Sequence, residues 1–186
     1  MLAVALAGCG GASTTSRDTR AEGAANGGAF AWLRPAAAPR GWRSARLPSG
    51  AAALSYPAGW RPLAGDSGTT SAALVGRDGT IRGYLNLTPR MGAERLAGWA
   101  RFRLRHNAGE GNRDLVEIAA ATGLRFRDGR GSCVIDRYRT SRHRYREIAC
   151  IVAGRRATTV VVGAALPREW ATLGPRIERA ISSLRT

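Results

Sequence analysis

The chain has 186 residues, 44% hydrophobic and 23% charged, enough for one globular domain of ordinary size plus a tail. All 29 basic residues are arginine, and against 13 acidic residues they leave a formal net charge of +16. No apolar run approaches the roughly 18 residues a membrane-crossing helix needs, which excludes such a helix. The charge surplus points to anionic partners, phosphates above all, because guanidinium pairs with them bidentately. Codon bias in a GC-rich genome, which supplies arginine wherever a cation is tolerated, is the plainer source of the same surplus.

The stretch Leu6-Ala7-Gly8-Cys9 follows a short apolar run and precedes a tail of small residues. It resembles the lipobox of bacterial lipoproteins, in which the signal peptide is cut just before the cysteine and the thiol is lipidated. On that resemblance residues 1–8 are a partial lipoprotein signal peptide and Cys9 is the lipidation site. The signal is partial because no basic residue precedes Arg17, whereas a secretory signal opens with a positive region. A frayed apolar terminus with an incidental cysteine is the plainer alternative. Residues 9–41 are rich in Gly and Ala, contain Pro35 and Pro39, and keep no sustained period, so they read as a flexible tether behind the lipidated cysteine.

A single domain is expected over 42–186. Residues 51–57 read as a strand ended by Pro57, and 69–76 and 80–88 as two more joined by Arg77-Asp78-Gly79, a hairpin signal. Residues 92–109 read as a helix, with Leu96, Trp99, Ala100, Phe102 and Leu104 on one arc and Asn107 to Gly109 as its stop. Arg103 falls inside that arc, so it either snorkels to the rim or projects between helix and sheet as an anion anchor. Four strands follow at 115–126, 132–140, 144–153 and 157–166. Residues 167–184 then form a helix opened by Pro167, with Trp170, Leu173, Ile177, Ala180, Ile181 and Leu184 on its buried stripe and Pro175 on the solvent side, where it should kink the helix without breaking it. This order predicts an α+β fold, a mostly antiparallel sheet with amphipathic helices packed against it.

The run Leu54-Ser55-Tyr56-Pro57-Ala58-Gly59-Trp60, an apolar strand entering YPxGW, looks like the start of domains with the PsbP-like fold, a sandwich found in small actinobacterial lipoproteins. Element order and the closing helix agree over roughly 42–184. The resemblance implies an exported, non-enzymatic accessory or ligand-binding module and carries no catalytic residues onto this chain.

A hairpin centred between Ser141 and Arg142 sets Cys133 opposite Cys150. With a two-residue loop this is a non-hydrogen-bonded pair, whose Cα atoms approach to about 4.5 Å, and a disulfide follows, as suits an oxidising compartment. The same register sets Arg137 opposite Arg146 and Arg139 opposite Arg144 on the cystine's face, with Arg142 at the tip. Like charges directly opposite repel, so these arginines ask for an anionic ligand or for carboxylates from another strand. Together with Arg103 they are the candidate anion-binding residues, for a lipid headgroup or an acidic envelope polymer. A solvated hairpin whose charges splay into water is the plainer reading. The other face carries Asp136 beside Glu147 and Tyr138 beside Tyr145, for which an ion-pair network is simpler than acid/base work.

Catalytic signals are thin. A Cys133/His143/Asp136 thiol site loses its nucleophile once Cys133 is paired, and Ser132 with His143 is all that a hydrolase has to start from. The spacings imply no metal ligation and no cofactor. The sequence therefore reads as an exported lipoprotein, anchored to the membrane through Cys9, that serves as a non-catalytic binding or accessory module at the cell envelope. Its partner is an anionic lipid, an envelope polymer or another protein. A cytosolic basic protein that binds nucleic acid is the alternative, and reduced thiols at 133 and 150 would mark it.

Overall fold

The computed structural model describes residues 28–186. Among these residues nine strands and two long helices follow one another: β1 (Arg43–Arg46), β2 (Ala53–Tyr56), β3 (Arg61–Leu63), β4 (Thr70–Val75), β5 (Ile81–Pro89), α1 (Trp99–Gly109), β6 (Arg113–Arg125), β7 (Gly129–Arg139), β8 (Arg144–Gly154), β9 (Thr158–Ala165) and α2 (Trp170–Ser182). Seven strands form one antiparallel sheet in the order β3-β4-β5-β9-β8-β7-β6, and β1 and β2 form a separate two-stranded ribbon. Consecutive hairpins build β6 to β9, and β9 then pairs with β5, so the sheet closes on its own middle.

Alternation along the strands sorts two cores. Ile135, Ile148 and Val161 point to the face covered by α2 and the ribbon, where Leu54, Trp60 and Ile177 complete the larger core. Val134, Ile151, Val160 and Val162 point to the face covered by Trp99 of α1. Strand β9 is therefore apolar at every position from 160 to 162, as a strand covered on both faces must be. Helix α2 buries Leu173, Ile177 and Ile181 almost completely, and each contributes roughly 1.5–3 kcal/mol relative to an exposed side chain. It runs continuously through Pro175, which is exposed. It also lies very close to the sheet: a Cβ at Gly163 would collide with the Ile177 side chain.

Three expectations need correction. The first helix begins at Trp99 rather than 92, because Gly98 sits at φ 74° with no side-chain cap and holds the preceding residues out of the helix. Strands β1 and β3 escape the sequence because they are only four and three residues long and arginine- or proline-bearing; β3 lies at the sheet edge, where Pro62 is tolerated. The packed chain also begins well before Trp42. Phe30 is buried in the larger core with Trp32 and Leu33 against it, and Ala36 N–H donates to the Ser182 carbonyl, so the C-terminal part of the expected 9–41 tether is folded onto the domain.

Candidate functional site

The β7–β8 hairpin carries the candidate site. Thr140 N–H donates to the His143 carbonyl at 2.8 Å, and the Thr140 hydroxyl accepts from the amides of Arg142 and His143 at 3.2 and 3.0 Å, so Ser141 and Arg142 form the tip. From that closure the pairs run Arg139↔Arg144, Arg137↔Arg146, Ile135↔Ile148 and Cys133↔Cys150. The cysteines form a disulfide with Cα atoms 4.1 Å apart, close to the spacing of a non-hydrogen-bonded pair.

The two arginine pairs meet different surroundings. Asp114 sits where β6 bulges between the pairs Arg113↔Arg139 and Val116↔Arg137, at φ 54°, a left-handed conformation that Asp tolerates better than most residues. The bulge aims its carboxylate at the outer pair: Arg139 Nε lies 2.8 Å and Arg144 Nη2 3.7 Å from Asp114 Oδ2. The hydrogen bond from Arg139, with the arginine charges, holds the Asp114 carboxyl below its usual range. The inner pair has no such carboxylate. Among the described residues neither Arg137 nor Arg146 forms a salt bridge. Arg146 stacks over the Trp170 ring at 4.7 Å, and its Nε is buried without a hydrogen-bond partner. Burial on α2 raises the Glu178 carboxyl, an effect that Arg146 opposes without pairing with it.

All four arginines line one half-open groove of about 820 Å³ between β6, the hairpin and the start of α2. Apart from Asp114 the rest of the lining is largely apolar and includes Val116 and Ile118 of β6 with Pro167 and Trp170. A cationic rim over an apolar wall can seat an anion while covering hydrocarbon.

On the opposite face, under α1, lies a buried polar cluster. Arg103 donates from Nε and Nη2 to Glu147 Oε1 and Oε2 at 2.7 and 3.0 Å, and Glu147 is fully buried. The hydroxyls of Tyr84 and Tyr138 share a 3.0 Å hydrogen bond, with Tyr84 also 3.4 Å from Glu147 Oε2. Asp136, directly across from Glu147, is buried with neither carboxyl oxygen hydrogen-bonded. Burial first, and then the charge of Glu147, push its pKa up to about 8 against the pull of Arg103.

No family model and no curated protein matches the sequence. Among solved structures the chain is similar to cyanobacterial PsbP from Synechocystis sp. PCC 6803, with 15% identity and a TM-score of 0.55 over 80% of this chain and 94% of that one. The fold is PsbP-like. Lower similarity extends to a protein from Bacteroides thetaiotaomicron, at 13% identity and a TM-score of 0.46 over 78% of this chain. The match takes in 48% of that protein, so this chain spans about half its length. It extends also to LpqN, involved in cell envelope biogenesis of Mycobacterium tuberculosis, at 16% identity and a TM-score of 0.38 over 79% of each chain.

Within this PsbP-like domain the sequence-predicted residues separate into groups. Arg137, Arg139, Arg144 and Arg146 come together in the groove, whereas Arg142 projects from the exposed tip and does not line it. Arg103 sits on the other face with its side chain 11% exposed, so it neither snorkels nor awaits a ligand; its anion is Glu147. Ser132 and His143 stand apart, because the hairpin places them eight rungs from each other, about 25 Å at a strand's rise per residue. Cys9 lies outside the described residues. The residues that sequence reasoning missed are Asp114, Val116, Ile118 and Trp170. The register shifts of β6 hide the first three by breaking its alternation, and Trp170 reads simply as part of a buried helical stripe.

Proposed function

We propose that this chain is an extracytoplasmic, non-catalytic binding module, held at the membrane by a lipid on Cys9, whose PsbP-like domain takes an anionic ligand in the arginine groove. One observation carries the reading: Arg137 and Arg146 oppose each other on adjacent strands with no carboxylate between them, while the neighbouring pair shares Asp114. Two cations so placed repel unless an anion bridges them. The disulfide supports the compartment, since such bonds persist where the surroundings are oxidising. The distance between Ser132 and His143 speaks against a serine hydrolase.

Two measurements test the parts separately. Expression from the native upstream sequence should give a membrane-associated chain that begins at Cys9 with acyl mass attached, and Cys9→Ser should release it. A chain that remains in the cytoplasm with Met1 intact and three reduced thiols would overturn the anchoring. Inorganic phosphate titrated into the full-length Cys9→Ser chain should raise its melting temperature through ligand linkage, and the additional substitution Arg146→Met should remove that rise. No response to phosphate and none to a monoalkyl phosphate would overturn the anion seat.

A further inference from the structure

Besides the unpaired arginines, the groove holds two of the three large hydrophobic side chains that are exposed among the described residues: Val116, 40% exposed, and Ile118, 46%. They stand on β6 beside Arg137, since Val116 pairs directly with it and shares its face of the sheet. Exposed apolar surface rimmed by polar groups is a feature of interaction sites.

The charge arrangement limits what can occupy it. An extended polyanion would need a continuous cationic track, but Asp114 already sits on Arg139 and Arg144, so within the groove the free cations reduce to the Arg137/Arg146 pair beside Trp170. That is a seat for one compact anionic group. Strand addition by another protein is also opposed: β6 is the sheet's outer strand, but register shifts interrupt its pairing at three places, and bulges of this kind twist an edge away from further pairing.

We infer that the groove takes an anionic lipid, its phosphate bridging Arg137 and Arg146 and its hydrocarbon lying along Val116 and Ile118 toward Trp170. This rests on the anion seat proposed above and adds the amphiphile. Bidentate guanidinium contacts hold the head, the Trp170 ring fixes Arg146 in place, and the chain covers apolar surface that water otherwise wets.

The test is calorimetric titration of the full-length Cys9→Ser chain with inorganic phosphate, with hexyl, octyl and decyl phosphate below their micellar concentrations, and with decanol. Decyl phosphate is expected to bind at least about tenfold more tightly than hexyl phosphate, and hexyl phosphate more tightly than phosphate, with each carbon added from hexyl to decyl tightening binding roughly two- to fourfold. The double substitution Val116→Ser/Ile118→Ser should flatten that chain-length dependence. Both side chains are exposed, and an unchanged melting temperature shows that the fold is kept. Equal affinity for phosphate and decyl phosphate overturns the amphiphile and leaves the anion seat standing. Binding of decanol as tight as that of decyl phosphate overturns the phosphate head. Absence of binding by both phosphate and decyl phosphate overturns the anion seat itself and the lipid with it.

Discussion

Replacing Asp136 by Asn should change how the stability of this domain depends on pH. Asp136 faces Glu147 across the β7–β8 ladder, is buried, and has neither carboxyl oxygen hydrogen-bonded, while the one cation nearby, Arg103, is committed to Glu147. Its pKa stands at about 8, against an ordinary value of 3.8. The folded state therefore holds this proton more tightly than the unfolded chain does. Its stabilising effect is fully present below about pH 4 and is lost as pH rises through 8. Between those limits each pH unit costs about 1.4 kcal/mol, so from pH 5 to pH 7 the wild type should lose about 3 kcal/mol that the Asn variant keeps. The buried amide left without a partner shifts the variant's whole curve down by about 1–3 kcal/mol without changing its slope. Glu178, whose pKa burial also raises, is present in both chains and cancels in the difference. Urea denaturation of the Cys9→Ser background with and without Asp136→Asn, at pH 5, 6, 7 and 8, measures this directly. Parallel curves would refute the reasoning and show that Asp136 is ionised in the fold.

Three further outcomes follow from the same packing. Arg103→Met leaves the buried Glu147 carboxylate without its cation and should cost about 3–5 kcal/mol, much of it recovered in Arg103→Met/Glu147→Leu when both are compared by thermal melting. Reduction of the Cys133–Cys150 disulfide, separated by 17 residues, should lower stability by about 3 kcal/mol on the chain-entropy account, read as a shift in the denaturation midpoint with and without reductant. Phe30→Ala should destabilise by about 3–5 kcal/mol, because Phe30 is 3% exposed within the larger core; a loss below about 1 kcal/mol in the same assay would return residues 28–41 to the tether.

Much of the fold was legible because its strands are regular where it matters. The hairpin tip at Ser141-Arg142 and the simple alternation of β7 and β8 fixed every cross-strand partner, including the cystine and the two arginine pairs. Placement of Arg103 on the apolar arc of α1 was also legible, but its partner was not, since a helix face gives no information about which strand residue lies beneath it. The groove was half legible. Its cations follow from register alone, whereas Asp114 and Ile118 owe their positions to bulges in β6, and no periodicity in LVEIAAATGLRF marks where the extra residues fall. The short β1 and β3 exist through pairing with β2 and β4, a tertiary effect that local propensity does not carry.

The cystine has a consequence beyond stability. Because side chains alternate along a strand, a slip of the β7–β8 pairing by one residue would turn Arg137 and Arg139 toward the core under α1 and bring Asp136 out into the groove. Burying two unpaired guanidinium groups there would itself oppose the slip, and the cystine adds a covalent bar to it. A covalent link at Cys133 and Cys150 forms only when the two residues stand opposite each other, so oxidation selects the register in which basic and acidic groups face opposite ways. Once closed, the bond holds the two strands in the one register that keeps Arg137 and Arg146 on the face away from Asp136 and Glu147.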